Sequence, residues 1–266
     1  MQQDYRQLSL DELEALEKQT LRTIVQAVQE YSREAKEIFD NAPAASETEV
    51  IVLAEDLVQY ALEVAECYPI NKRFAGFIDY KRVRWATTPF GIFPQALLVD
   101  AKASTENNRD TLQQSQLSMD AEFVSNRRVV RLPAGIPPHL DIPAHCEQTL
   151  VAVTTSAFIH FYYKDLDSDT PPFRELLAFY VLMMPHRTLK PRYNPNATTT
   201  FFGQGKHSPA RGEVPRIRVY FSRLRDLCAW RLQELRYVVG ETYTRPIWRD
   251  VMNGQESESG FDFIGR

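Results

Sequence analysis

Two aspartates and a lysine mark where this chain has chemistry to offer. Asp79 sits in GFIDY, and Asp100 and Lys102 sit in LLVDAKAS (residues 97–104), with 20 residues between the aspartates. Strand residues at i and i+2 face the same way, so Asp100 and Lys102 emerge side by side where an apolar run ends. If Asp79 lies on the neighbouring strand across a turn, two carboxylates meet, and carboxylates that close repel unless a cation joins them. Hard oxygen ligands on an open site suit Mg²⁺, which takes one or two carboxylates and fills its shell with waters and phosphate oxygens. The carbonyl of Ala101, between the two side chains, is a further candidate ligand. Lys102 beside the ion would orient a water or steady charge developing on phosphorus.

Asp, a gap of about twenty and then Asp-x-Lys is the D…(D/E)xK pattern of metal-dependent nucleases. Most Asp-x-Lys triplets are instead exposed strand ends carrying a weak ion pair, so the pattern leaves both readings open. The flanks lean towards a polyanion: Lys72, Arg73, Lys81, Arg82 and Arg84 surround Asp79. A second basic stretch, GKHSPARGEVPRIRVYFSRLR (205–225), sets Lys206, Arg211, Arg216, Arg218, Arg223 and Arg225 against Glu213 alone. Arg216 and Arg218 are spaced to share one strand face, and arginine matches the N7 and O6 acceptors of guanine in the major groove. Phosphate contact or a solvated edge strand is the plainer alternative for these arginines.

The formal net charge of −4 speaks weakly against nucleic acid, but its distribution does not. Residues 1–66 carry 15 Asp/Glu against 5 Lys/Arg, leaving 26 basic and 20 acidic residues in the other 200. The acidity is N-terminal and the remainder is mildly basic. No apolar stretch approaches the length of a membrane span. The polar, acidic start MQQDYRQLSLDELE does not read as a secretory signal. Cys67, Cys146 and Cys228 are odd in number and scattered, with no C-x-x-C, so a reduced, cytoplasmic chain without disulfides or zinc is expected.

Several elements must position the site. Ser9 with Glu12 forms a capping box ahead of a predicted amphipathic helix over 10–40, and a second helix is predicted over about 48–67. Strands are predicted over 74–85 and 95–102, separated by a turn at TTPFGIFP, and over LVAVTTSAFIHFYYKDL, RELLAFYVLMM and RIRVYF. Residues 124–148 read as irregular, RYNPNATTTFFGQGKHSPARGEVP as a long loop, and SRLRDLCAWRLQELRYV as a helix. The order implies an α/β chain: one domain over 1–266 with an N-terminal helical region of about 1–67, then a mixed sheet flanked by helices.

The strings DYRQLSLDELE, TLRTIVQA, VIVLAEDL, RFAGFIDYKRVRW, LLVDAKAS, GKHSPARGEV and WRLQEL resemble, in register along nearly the whole chain, the SfiI-like type II restriction endonucleases, relatives of BglI. The resemblance implies the restriction-endonuclease-like α/β core with a central mixed sheet. It implies Mg²⁺-dependent hydrolysis of both strands of double-stranded DNA at interrupted palindromes of G·C-rich halves, GGCC in the family's namesake. The family's catalytic pattern falls on Asp79, Asp100 and Lys102, with Asp79, Asp100 and Ala101 at the metal. Its base-reading elements fall on Lys206, Arg216 and Arg218, with Asn108 or Asp110 as a further base contact; Glu55 or Glu63 is a candidate for the metal shell or a surface charge. A palindrome implies two-fold symmetry, and the resemblance goes further, to a homotetramer, a dimer of dimers that holds two sites at once. The apolar stripe of the first helix would then pack against its own domain or between protomers. Two other functions fit the residues alone: a nuclease for repair or recombination that reads DNA shape, and a DNA-binding regulator that does not cut.

Overall fold

The computed structural model describes residues 8–43, 46–63, 68–69, 80–105, 111–114, 116–143, 149–205, 216–237, 246–249 and 256–257. Three helices lead: α1 (Leu10–Glu30), α2 (Ser32–Asn41) and α3 (Glu47–Glu63). Strands follow as β1 (Tyr68–Pro69), β2 (Tyr80–Thr88), β3 (Gly91–Thr105), β4 (Thr111–Gln114), β5 (Ala121–Ser125), β6 (Arg128–Leu132), β7 (His139–Pro143), β8 (Thr149–Asp165) and β9 (Arg174–Met184). Then come α4 (Lys190–Tyr193), β10 (Phe202–Gln204), β11 (Ile217–Tyr220), α5 (Phe221–Leu227), β12 (Leu232–Tyr237), β13 (Pro246–Arg249) and β14 (Glu256–Ser257).

The main sheet runs β1-β2-β3-β8-β9-β12-β13-β14, with β7 also paired to β8. It is mixed because β3 and β8 are parallel while the other pairs are antiparallel. One face, with Leu97, Val99, Ala101, Ile159 and Phe161, is covered by α2, α3 and the second half of α1. The other face, with Phe158, Tyr162, Tyr180 and Leu182, is covered by residues of β4, β11 and α5 together with Leu13 and Leu16 of α1. Buried on both sides, β3, β8 and β9 read as near-continuous apolar runs rather than alternating ones. The apolar stripe of α1 is therefore spent within its own chain.

Ser9 Oγ accepts from Glu12 N–H at 3.2 Å while the Glu12 carboxylate accepts from Ser9 N–H at 2.8 Å, completing the expected capping box. The single helix expected over 10–40 is instead two. Tyr31 leaves helical geometry (φ −101°, ψ 8°), and the Ser32 hydroxyl donates to the Gln29 carbonyl at 2.7 Å, competing with the backbone ladder. The turn between β2 and β3 is tighter than expected. Only Pro89 and Phe90 lie outside the strands, and Gly91 at φ 145° takes a conformation that favours glycine. Three further expectations give way. Residues 124–148 include β6 and β7, and the long loop includes β10. The helix expected over 222–238 ends at Leu227, after which Leu232–Tyr237 pairs with β9. Its Leu-Gln-Glu-Leu run favours helix locally, but a place in the sheet with Leu235 fully buried outweighs that weak preference.

A buried ion pair locks α1 to the sheet. Arg231 Nη2 donates to Glu17 Oε2 at 2.5 Å, and both residues are 0% exposed. Glu17 Oε1 also accepts from the His186 backbone N–H at 2.5 Å, and the Arg231 guanidinium stacks over Tyr193 and Trp230. Burial pushes the Glu17 carboxyl up to about 7, against the pull of Arg231. Breaking such a pair strands a charge where water cannot reach it. Glu17→Ala should thus lower unfolding stability in urea by about 3–5 kcal/mol, whereas a loss under about 1 kcal/mol would show the pair to be dispensable.

Candidate functional site

The end of β3 leaves the core at Lys102. Leu97, Val99 and Ala101 are fully buried and Asp100 is 7% exposed, while Lys102 to Thr105 are half-buried. The β3–β8 ladder pairs Asp100 with Phe158, Lys102 with His160 and Ser104 with Tyr162. Asp100, Lys102 and Ser104 share the face opposite the helices, as alternation requires. Lys102 Nζ lies 2.6 Å from Asp100 Oδ2 and donates to the Ala101 carbonyl at 2.9 Å. The expected side-by-side carboxylate and ammonium are thus present, and two oxygens, one carboxylate and one carbonyl, converge on a single cation. The lysine is held along its own strand, so its charge stays at the strand end.

Asp79, Asn108, Asp110 and Lys206 lie outside the described residues. Among the described residues no group of three or more His, Cys, Asp or Glu side chains is placed to hold a metal. Glu55 and Glu63 sit on α3, which packs on the face that carries Ala101, the reverse of Asp100 and Lys102. Glu63 is exposed and accepts from the Gln59 amide at 3.0 Å, the surface role that was its alternative.

The arginines occupy the second sheet, β10-β11-β4. Arg218 faces Gly203 on one side and Gln113 on the other. Ile217 and Val219 point into the core, so Arg218 and Tyr220 share the outer face, half-buried. Arg216 is exposed and stands just ahead of the strand rather than within it. Two glycines permit this close packing. A side chain at Gly203 would strike the Tyr220 ring, and one at Gly205 the Arg216 carbonyl. Arg218 Nε and Nη2 have no hydrogen-bond partner among the described residues. Between β3, which ends at Thr105, and β4, which pairs with β11, there are only residues 106–110. The strand with Asp100 and Lys102 is therefore close in sequence to the sheet with the arginines.

One polar pair beside Lys102 escapes sequence reading. His160 is 1% exposed, and its Nε2 is hydrogen-bonded to Ser104 Oγ at 2.7 Å. Burial, helped by the charge of Lys102, pushes its pKa down to about 3, so the imidazole is neutral at physiological pH. Nδ1 has no partner among the described residues. A bare lone pair there is less costly than a stranded N–H, which places the proton on Nε2, donating to Ser104. The signal in the sequence is faint: one imidazole inside the apolar run AFIHFYY.

With this geometry in place, the chain can be set beside known proteins. A family model described as type II restriction enzyme SfiI matches residues 35–235. The type II restriction enzyme SfiI of Streptomyces fimbriatus is 63% identical over 269 residues, covering all of both chains. The crystal structure of tetrameric restriction endonuclease SfiI bound to cognate DNA superposes with a TM-score of 0.82 at 63% identity, over 97% of each chain. The restriction endonuclease BglI, solved bound to its DNA recognition sequence, has the same fold at 14% identity, with a TM-score of 0.65 over 84% of this chain and 90% of its own. This chain belongs to the SfiI family of type II restriction enzymes.

Proposed function

We propose that this enzyme hydrolyses both strands of double-stranded DNA at an interrupted palindrome with GGCC halves, using Mg²⁺ held by Asp79, Asp100 and the Ala101 carbonyl. The observation that carries the catalytic reading is the convergence of Asp100 and the Ala101 carbonyl on one cation, the Lys102 ammonium. A carboxylate and a carbonyl aimed at one point, at a strand end still open to solvent, are the donor chemistry that a hard divalent ion selects. The sequence neighbourhood favours Asp79 as the second carboxylate. Tyr80, which follows Asp79 in the chain, pairs with Val99, which precedes Asp100.

When bound, a divalent ion supplies Lewis-acid stabilisation of charge and a more acidic water at neutral pH. Asp100 holds its carboxylate on a strand buried through Ala101, which limits reorganisation during the reaction. Lys102, with its side chain 31% exposed, presents its ammonium to an incoming phosphate and steadies charge developing on it. No covalent enzyme intermediate is needed. Arg216 and Arg218, with Lys206 and Asn108, are proposed to read base edges in the major groove. Helices and sheet share their core clusters, in keeping with one domain. A relative described as tetrameric and bound to cognate DNA supports the same assembly here: a cytoplasmic homotetramer holding two sites.

Three measurements bear on this reading. Asp100→Asn and Lys102→Ala should each abolish cleavage in Mg²⁺ while the folded protein still binds its site in Ca²⁺, which accepts looser oxygen geometry. Cleavage by Asp100→Asn at near wild-type rate would end the assignment. Arg218→Ala should lose about 1–3 kcal/mol of preference for cognate over random duplex in gel-shift competition. Equal losses on both DNAs would make Arg218 a phosphate contact instead. A plasmid with two sites should be cut faster than a plasmid with one, because tethering raises the effective concentration of the second site. Equal rates, with a dimer mass by light scattering, would refute the tetramer.

A further inference from the structure

We propose that His160 is a positioning residue through which the DNA-reading strand β11 sets the catalytic segment of β3; this rests on the roles proposed above for Asp100, Lys102, Arg216 and Arg218. His160 stands opposite Lys102 in the β3–β8 ladder, and its hydrogen bond to Ser104 fixes the chain two residues beyond that lysine. Lys102 is thus bracketed, by Asp100 on one side and the tethered Ser104 on the other. The imidazole also packs edge-on against Phe221, with ring centroids 5.5 Å apart, and lies 6.1 Å from Tyr180, whose ring is 5.4 Å from that of Phe221. These three rings are all buried, at 1%, 3% and 8% exposure.

Phe221 gives this triangle its direction. It follows Tyr220, the last residue of β11, and opens α5. Any shift of β11 on engaging DNA therefore presses on the His160 ring, and close-packed interiors transmit such strain rather than absorb it. β11 also pairs with β4, the strand that follows β3 in the chain. An apolar side chain would fill the His160 position without desolvating an imidazole. Ser104, on the catalytic strand, is its one hydrogen-bond partner among the described residues, so the polar group placed there serves that strand.

The test uses the full-length protein with His160→Phe, His160→Gln, Ser104→Ala and Phe221→Ala, beside Lys102→Ala. Each is assayed for binding in Ca²⁺ and for single-turnover cleavage in Mg²⁺, on the cognate duplex and on one with a single base pair changed. His160→Phe and Ser104→Ala should bind cognate DNA as wild type does yet cut it about 10–100-fold more slowly, the usual penalty for losing a supporting partner. The double variant should be no slower than the slower single, because both remove one bond. His160→Gln, which can still donate to Ser104, should recover much of the rate. Phe221→Ala should narrow the cleavage ratio between the two duplexes and leave their binding ratio unchanged. Wild-type cleavage and discrimination in His160→Phe and Ser104→Ala would overturn the proposal. So would binding, melting temperature and cleavage all falling together, because that pattern marks a purely structural residue. If Lys102→Ala cuts normally, the catalytic reading itself fails, a result distinct from loss of the His160 link alone.

Discussion

The parallel pairing of β3 with β8 is the constraint on which the rest depends. Among the described residues it is the one parallel pair in an otherwise antiparallel sheet, and it runs eleven residues, from Gln95 with Val153 to Thr105 with Tyr163. Parallel pairs need cover on both faces, and here helices supply one cover and the β10-β11-β4 sheet with α5 the other. A one-residue slip would move Asp100 and Lys102 to the helical face, where Val99 and Ala101 are fully buried. Charges there would have neither water nor phosphate to meet. The register that keeps the core dry also brings a carboxylate and an ammonium together at the strand's open end.

This sharing of one strand between core and chemistry explains the layout of the chain. α2, α3 and the second half of α1 occupy the face turned away from Asp100 and Lys102, the start of α1 reaches the other face through Leu13 and Leu16, and Glu17 with Arg231 locks that helix in place. The basic arginines sit on the opposite side, on a small sheet whose middle strand leads directly into Phe221.

Strand β3 was legible because its signal is local. An apolar run ending in Asp-Ala-Lys needs no knowledge of neighbours, and β8 and β9 likewise declare themselves as long buried runs. The arginine strand was legible in part, since its alternation is correct although Arg216 falls just before it. What stayed hidden depends on distant partners. The strand Leu232–Tyr237 is composed of good helix formers and becomes a strand only because β9 offers a ladder. The break at Tyr31 carries neither glycine nor proline. His160 resembles any core histidine until the register sets it against Lys102 and the fold brings Phe221 onto its ring. Lys206 and Asn108 rest on family resemblance, and Asp79 on that resemblance and its spacing from Asp100 in the sequence.

The end of β3 is proposed above as a divalent-metal site in which Asp100 and the Ala101 carbonyl supply oxygens beside Lys102. Its most direct test is the anomalous signal of Mn²⁺ in crystals of the enzyme with its cognate duplex. The account predicts a peak within about 2.0–2.6 Å of an Asp100 carboxylate oxygen and the Ala101 carbonyl, with Asp79 completing the protein ligands. A peak bound elsewhere, or full occupancy at a site that leaves Asp100 without metal contact, would contradict it.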